Sequence, residues 1–284
     1  MYYQFQNSGL LLCLIYLNAH LYDTVSNKDY GKGTTQNEIK LMIVGGIPTQ
    51  ITEYPFMVSL RVNSRYVCAG IILDSNKILT VAHCFRPSIP HSLYSIHCGK
   101  SKKYGNEPNE KLLSIKSVII HEGFVREDGL RDAFKYDNDI AIVKLNESLK
   151  FTENITNAVL PKYNENLTPG TYCCVAGWGD TNDGGDQNNL NEICIPTWNR
   201  IKCNMKQFHN SKISPNMICA GEEAGGVDAC QGDSGGALFC TTTSGKKVSG
   251  LVSWGKGCAE SDKPGVYVDL SKYIKWIERN SKKL

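Results

Sequence analysis

Three short stretches of the chain carry residues that together suit nucleophilic attack on a carbonyl carbon. His83 ends a β-rich run beside a cysteine, Asp139 directly precedes the run 140–143, and Ser234 lies inside the glycine-rich segment 232–236. A serine hydroxyl at neutral pH needs a base, a group that orients the base, and N–H donors for the oxyanion. Glycines allow the tight backbone that aims two N–H groups at one oxygen. The chain therefore offers a candidate for each part, in the order His, Asp, Ser.

Each candidate also has an ordinary interpretation when it is taken alone. A single histidine is usually structural, an aspartate before a strand is often a turn residue, and Gly-Ser-Gly is often a loop. It is improbable that all three ordinary interpretations hold in one chain, so we favour the catalytic interpretation.

Composition excludes several classes of protein. The 284 residues allow one large domain or two small ones, and 41% hydrophobic with 21% charged residues is typical of globular proteins. Wholesale disorder and multiple membrane spans are excluded, and a net charge of +3 is too small to indicate a nucleic-acid partner. The sequence has no Gly-x-Gly-x-x-Gly loop or Cys-x-x-Cys pair, and we expect no cofactor. Twelve cysteines indicate an oxidising compartment.

The amino-terminal segment indicates secretion into the extracellular space. Residues 10–17 form an apolar run of the length found in signal peptides, well short of the roughly 20 residues of a membrane span. We therefore assign residues 1–19 to a signal peptide and the largely polar stretch 20–42 to a prosegment, with an uncleaved anchor as the alternative to the signal peptide. A secreted chain would accept glycans at three Asn-x-Ser/Thr sequons, at Asn146, Asn154 and Asn166.

The rest of the chain, residues 43–284, has the pattern of an all-β domain with one terminal helix. Short apolar runs separated by turn residues are typical of a β-sandwich or a pair of barrels. These runs are 56–60, 71–73, 117–120 and 140–143. After Ser271, helical spacing places Tyr273, Ile274 and Ile277 on one face, and we expect that helix to dock against a barrel.

Two further motifs flank the three stretches, Ile43-Val44-Gly45-Gly46 before them and Ser253-Trp254-Gly255 after them. Together the five motifs closely resemble those of the trypsin-like serine proteases of the chymotrypsin family. The resemblance covers residues 43–284. It implies two antiparallel six-stranded β-barrels, an active site between them and a C-terminal helix. It also implies a monomeric serine endopeptidase, made as a zymogen, whose partners are protein substrates, an activating protease and serine-protease inhibitors. No membrane partner is expected.

The resemblance assigns catalytic roles position by position. Ser234 matches the nucleophile, His83 the general base and then acid, and Asp139 the carboxylate that sets the histidine tautomer. The backbone N–H groups of Gly232 and Ser234 would form the oxyanion hole.

Substrate choice in the family depends on a pocket whose base corresponds to Asp228. A buried carboxylate there favours a cationic side chain, unless Asp228 merely ends a loop. Ala229 replaces a serine that helps many trypsins to solvate a lysine ammonium, so we expect cleavage after Arg to exceed cleavage after Lys. Tyr136 would crowd the second subsite, unless it is a core aromatic. The other expected pocket residues are Ser253, Trp254, Gly255 and Gly265.

Two segments of the chain, 83–99 and 121–139, are longer than in digestive trypsins and would rim the cleft, which favours narrow selectivity. A broad digestive trypsin and a catalytically silent binding relative are the competing interpretations. Basic residues on two neighbouring loops permit a cationic exosite for acidic partners, although we slightly favour an ordinary solvated surface. These residues are Arg61, Arg65, Lys100, Lys102 and Lys103.

The cysteine pattern predicts a disulfide framework. The resemblance implies the pairs Cys68–Cys84, Cys173–Cys240, Cys203–Cys219 and Cys230–Cys258. Cys174 faces away from Cys173 on a strand, and the alignment sets Cys194 directly opposite Cys174, within disulfide range. We therefore expect a Cys174–Cys194 bond and a free thiol at Cys98. The alternative is that these three small residues are buried and stay reduced.

The loop in which similar trypsins bind calcium departs from the family pattern. That loop begins with Glu after Gly, whereas this chain has Lys100 after Gly99. Lysine offers no oxygen ligand. We expect Lys100 to pair with Glu110 and to replace the metal.

Activation is the step at which the sequence departs most from trypsins. In the family the freed α-amino group, here that of Ile43, pairs with the acid beside the nucleophile, here Asp233. The residue before Ile43 is Met42 rather than a basic residue, and cleavage after Lys40 would leave Leu41 and Met42 attached. We predict a protease that cuts after Met42, or removal of the dipeptide after cleavage at Lys40. N-terminal sequencing of the active protein checks this, and full activity with Leu41 at the terminus would contradict it.

Overall fold

The computed structural model describes residues 46–126, 134–179, 188–229, 232–242 and 245–284. The chain divides into two units, 1–39 and 40–284, and all described residues belong to the second. The expected signal peptide, the whole prosegment and Ile43 lie outside the described residues. No helix in the described ranges is long and apolar enough to cross a membrane.

The described chain consists mainly of β-strands joined by short turns. The strands are β1 Ile47–Pro48, β2 Met57–Val62, β3 Arg65–Asp74, β4 Lys77–Thr80, β5 Tyr94–Cys98, β6 Lys111–Ile120, β7 Ala141–Leu145, β8 Tyr172–Gly177, β9 Asn191–Pro196, β10 Met217–Ala220, β11 Ala237–Thr242, β12 Gly245–Trp254 and β13 Gly265–Asp269. The α-helices are α1 Arg200–Cys203 and α2 Leu270–Ser281. Single 3₁₀ turns occur at Ala82–Cys84 and His91–Leu93.

The first half of the domain is a closed antiparallel barrel in the order β2-β3-β4-β7-β6-β5. The four apolar runs recognised in the sequence fall on or overlap β2, β3, β6 and β7. In β5 the buried residues alternate, because successive side chains of a strand point to opposite faces. Closure satisfies the backbone of every strand and leaves no edge for another chain to pair with.

The second half is an antiparallel sheet in the order β1-β9-β8-β11-β12-β13-β10, rather than a second closed six-stranded barrel. Just beyond the end of β9, one bridge joins Thr197 to Ala220 of β10, the strand at the far edge of the sheet. The pairing stops there because the chain turns at Asn199, whose side chain accepts the Ile201 N–H and caps α1. The fold class expected from the sequence is confirmed, with a half-barrel as its second part.

Helix α2 begins two residues earlier than the sequence analysis expected. Its N-cap is Asp269 instead of Ser271, because the Asp269 carboxylate accepts the Ser271 N–H at 3.0 Å. A carboxylate at this position also complements the positive end of the helix dipole.

Helix α2 packs against the domain through a face that includes Tyr273 and Ile277, as expected, while Ile274 is only half buried. Trp276 is buried as well, and its indole N–H donates to Glu122 at 2.8 Å. The Tyr273 hydroxyl donates to the Asn138 side chain at 3.1 Å. The helix therefore supports the segment that leads into Asp139.

Four disulfides join pairs of described cysteines, and all four are pairs expected from the sequence. They are Cys68–Cys84, Cys173–Cys240, Cys174–Cys194 and Cys203–Cys219. Cys174 and Cys194 lie directly opposite each other in the β8–β9 ladder, with Cα atoms 3.9 Å apart. Cys258 is also disulfide-bonded, but its expected partner Cys230 lies outside the described residues.

Cys98 is a free, buried cysteine at the end of β5. Burial raises the pKa of its thiol to about 12, and the nearby Glu110 carboxylate adds to the increase. The thiol therefore stays protonated at neutral pH and behaves as a small apolar residue.

Three of the five basic residues considered as an exosite are buried. Lys100 pairs with Glu110, Arg61 donates to the Lys103 carbonyl, and the Lys103 ammonium lies over the Tyr66 ring. Only Arg65 and Lys102 of the five are exposed. The five residues therefore form neither the cationic exosite nor the ordinary solvated surface that the sequence analysis slightly favoured, because three of them have partners inside the domain.

The Lys100–Glu110 ion pair predicts that the protein is indifferent to calcium. The Lys100 side chain is 2% exposed, and its ammonium lies 2.9 Å from Glu110 Oε2 and 2.6 Å from the Gly105 carbonyl oxygen. The melting temperature should not change when EDTA is added. Lys100→Glu would direct a carboxylate toward the same oxygens, so calcium should raise the melting temperature of that variant. Loss of stability on chelation in the unaltered protein would contradict the prediction.

Candidate active site

The carboxylate of Asp139 is fully buried just before β7 and accepts three hydrogen bonds. The backbone N–H of His83 donates to Oδ1 at 2.9 Å, while His83 Nδ1 and the Ser253 hydroxyl contact Oδ2 at 2.7 Å and 2.6 Å. A buried charge is tolerated only when it is paired in this way. The arrangement holds the proton on Nδ1 and leaves Nε2 of His83 free to accept one.

His83 is positioned by the 3₁₀ turn Ala82–Cys84, which follows β4 directly. The disulfide from Cys84 to Cys68 ties this turn to β3. These two cysteines and His83 are the one grouping of metal-ligand types found among the described residues. Because both sulfurs are consumed in the disulfide, the group has no thiolate to offer a metal.

Ser234 lies in the loop between β10 and β11, which contacts both halves of the domain. Its carbonyl accepts the Ala69 N–H from β3 at 2.8 Å, and the Gly235 N–H donates to the Val252 carbonyl on β12 at 2.8 Å. Gly235 has φ +81°, and a Cβ there would lie 2.2 Å from the Ala69 carbonyl oxygen. Only glycine fits this conformation and this close approach.

The backbone around Ser234 has two N–H groups available for an anion. Gly232 has φ +95°, and its carbonyl accepts the Tyr66 hydroxyl. Within the described part of the chain, the N–H groups of Gly232 and Ser234 donate to no protein acceptor. Asp233 between them is fully buried and accepts the Gly179 N–H at 2.8 Å. The expected contact of Asp233 with Ile43 lies outside the described residues.

A cavity of about 500 Å³ is lined by His83, Ser234 and Asp228. The pocket residues expected from the sequence line it too, namely Tyr136, Ala229, Ser253, Trp254, Gly255 and Gly265. Within the described residues no hydrogen bond joins the Ser234 hydroxyl to His83. Such contacts often form only when substrate is bound.

Asp228 is the buried charge of this cavity. Its side chain is 3% exposed, and Oδ1 has no hydrogen-bond partner. A Cβ on Gly265 would lie 3.0 Å from that oxygen, so glycine keeps the approach to it open. Burial raises the pKa of Asp228 to about 7, although N–H groups of Ala229 and Ala259 lower it.

A protein-family model described as Trypsin matches residues 43–277. The chain belongs to the trypsin family. It is a serine endopeptidase, and the stretches around His83, Asp139 and Ser234 all lie inside the matched region.

Tyr136 of this trypsin-family protease lies beside the histidine rather than in the core. Its ring is half buried and meets the His83 ring edge-on, with centroids 5.7 Å apart. The residue has φ +61°, a conformation that bulky side chains seldom adopt outside functional sites. Tyr136 is therefore a residue of the cavity wall and not a core aromatic.

The protease holds the segment before Asp139 through contacts that the sequence analysis did not anticipate. Asp137 accepts the Ser214 hydroxyl at 2.7 Å, and the Asn138 amide donates to the Gly123 carbonyl at 3.0 Å. Asn138 has φ +57°, and asparagine tolerates that region better than most residues. The polar run Asp137-Asn138-Asp139 was the sequence feature that could have indicated these hydrogen bonds.

Sequence reasoning also missed four basic residues at the cleft. Lys135, Lys212 and Lys256 line the Asp228 cavity, and Arg86 lines the groove on the barrel side of Ser234. They come from separate loops, so no local pattern connected them.

The raised pKa of Asp228 predicts a pH dependence for cation binding by this protease. Only the ionised carboxylate attracts a cation, and a pKa of about 7 in the free protein means that binding must expel a proton at lower pH. The dissociation constant of benzamidine should therefore rise about tenfold per pH unit below pH 7. Calorimetry between pH 5.5 and 8.5 measures it. Asp228→Asn should bind weakly at every pH, and a pH-independent constant in the unaltered protein would contradict the prediction.

Proposed function

We propose that the protein is a secreted zymogen whose mature form hydrolyses peptide bonds after arginine, and less well after lysine. The observation that carries this proposal is the partnerless Oδ1 of Asp228 in the cavity that Ser234 also lines. A substrate guanidinium supplies the missing hydrogen bonds and the countercharge together. A neutral side chain would leave the buried carboxylate without a countercharge.

In the proposed reaction, an arginine side chain enters the cavity and sets the carbonyl of its peptide bond beside Ser234. Nε2 of His83 takes the hydroxyl proton as the oxygen attacks, and a tetrahedral intermediate forms. Asp139 stabilises the imidazolium through its hydrogen bond to Nδ1. The N–H groups of Gly232 and Ser234 bind the oxyanion, which carries more charge than the ground-state carbonyl.

The second half of the reaction uses the same groups in reverse. His83 gives its proton to the leaving amine, and the peptide bond breaks to leave an ester on Ser234. Water then enters, His83 accepts its proton, and attack on the ester releases the new carboxylate and restores the serine.

Preference for arginine over lysine rests on Ala229, which lines the cavity next to Asp228. A lysine ammonium is shorter in reach than a guanidinium and depends on additional acceptors to replace its hydration. A methyl side chain supplies none, whereas the planar guanidinium pairs with a carboxylate through two N–H groups.

Secretion and zymogen activation are supported by the covalent structure. The four disulfides are of the kind that persist in an oxidising compartment. The sequon residues Asn146 and Asn166 are exposed and Asn154 is half exposed, which suits glycan attachment. The apolar run 10–17 and the stretch 20–42 provide a signal peptide and a prosegment.

Matched peptides with Arg or Lys before the cleaved bond test the specificity. We expect a higher kcat/KM for the Arg peptide in the protein matured to Ile43. Ala229→Ser should improve the Lys peptide about fivefold, the effect of one added hydrogen bond near 1 kcal/mol. Equal turnover of both peptides by the unaltered protein would contradict the role of Ala229, and cleavage after aromatic residues would contradict that of Asp228.

Loss of the nucleophile is the complementary test. Ser234→Ala should lower kcat by at least about 10⁴-fold while benzamidine still binds, because Asp228 is untouched. Titration with an active-site serine reagent counts the competent molecules. A mature protein that binds benzamidine but never reacts with the reagent would favour the silent binding relative instead.

A further inference from the structure

A second groove, of about 640 Å³, shares only His83 and Ser234 with the Asp228 cavity. Its other walls come from the β2–β3 hairpin and from the segment that follows His83. The two spaces therefore meet at the proposed catalytic residues and extend from them along different elements.

The position of the second groove identifies the part of the substrate that it meets, given the proposed function. The arginine side chain occupies the Asp228 cavity, which Tyr136 and Trp254 also line. The residues before the cleaved bond then lie on this side of Ser234. The residues after the cleaved bond must then leave Ser234 through the second groove.

Two arginines give the second groove a positive charge. Arg65 and Arg86 both line it and are both exposed. No carboxylate is among its described lining residues. In the described part of the chain, neither guanidinium has a hydrogen bond or ion pair with another side chain. Both are therefore available to a ligand.

The backbone that carries Arg65 is rigid. The turn between β2 and β3 has only two residues, Asn63 and Ser64, with φ +48° and +64°. A tight turn with two left-handed residues matches the twist of the flanking strands. Arg65 pairs with Val62 across the hairpin, so the start of its side chain is held in register beside the groove.

The backbone that carries Arg86 is held independently. Its N–H donates to the Tyr94 hydroxyl at 3.1 Å, and that hydroxyl donates to the Cys84 carbonyl at 3.3 Å. The Cys68–Cys84 disulfide then joins this segment to the strand of Arg65. Less conformational freedom is lost when a ligand binds to groups fixed in this way.

We propose that this groove selects protein substrates that carry Asp or Glu within the first three residues after the cleaved bond. A carboxylate there can accept paired N–H groups from either guanidinium. Lysine or arginine in the same place meets two like charges without a countercharge. The inference rests on the proposed function, because it assumes that Ser234 attacks a peptide bond.

Internally quenched peptides with Arg before the cleaved bond test the proposal. Three peptides differ only in the second residue after that bond, which is Asp, Ala or Lys. The full chain carries Met42→Lys and is cleaved by immobilised trypsin to expose Ile43. At low salt we expect kcat/KM to be about three- to tenfold higher for Asp than for Ala, and lower for Lys than for Ala. The Asp advantage should shrink in 0.5 M NaCl.

Substitutions then assign the preference to the groove. In Arg65→Gln with Arg86→Gln the Asp-to-Ala ratio should fall toward one, and Arg65→Glu should raise the Lys peptide relative to Ala. Each ratio is taken within one variant, so a change in overall activity cancels. Arg200→Gln, an exposed arginine on α1 that lines neither groove, is the matched control and should keep the original ratio.

The outcomes separate this inference from the proposed function. An arginine p-nitroanilide has no residue after the cleaved bond and reports the first cavity and the catalytic residues alone. If the anilide is hydrolysed but Asp, Ala and Lys peptides are equal, the groove does not select acidic residues. If the ratio survives loss of both arginines, the assignment is likewise overturned. If neither anilide nor peptide is cleaved, the proposed function itself fails.

Discussion

The buried carboxylate of Asp139 is the constraint around which the two halves of the domain are arranged. An ionised group without exposed surface is stable only when several donors reach it. These donors come from the turn that carries His83 and from Ser253 on β12, so one charge joins the closed barrel to the open sheet. The same bonds set the histidine tautomer. The packing of the two halves and the proposed role of His83 therefore depend on one set of contacts.

The loop of Ser234 also joins the two halves of the domain, in this case through backbone hydrogen bonds. It bonds to β3 on one side and to β12 on the other, and glycine at position 235 allows the close approach. Among the described residues the N–H groups of Gly232 and Ser234 have no acceptor, which is unusual for backbone groups in a folded domain. Helix α2 supports the segment before Asp139, and the Cys68–Cys84 disulfide holds the turn of His83. The proposed stabilisation of an oxyanion depends on groups that are positioned in advance in this way.

Charged residues of one type take different roles according to what the fold places around them. Arg61 and Lys100 are buried and satisfied by a carbonyl or a carboxylate, and they support loops. Arg65, a few residues from Arg61, is exposed beside Ser234 and has no intramolecular partner in the described chain. Asp228 is the reverse case, a buried acid with an unsatisfied oxygen. Unsatisfied charge is concentrated at the cleft, where a substrate can satisfy it.

Features that depend on residue type and short-range geometry could be predicted from the sequence. Strand alternation and alignment placed Cys174 opposite Cys194, and Lys100 was matched with Glu110, because one register or one opposite charge settles each contact. Family motifs identified the trypsin-like fold and the residues around Ser234. Tertiary structure alone decided that helix α2 is capped by Asp269, that the second sheet stays half open, and that Arg61 and Lys103 are buried. It also brought Arg86 and Lys212 to the cleft. Burial and partners of a side chain depend on elements distant in sequence, which no local pattern encodes.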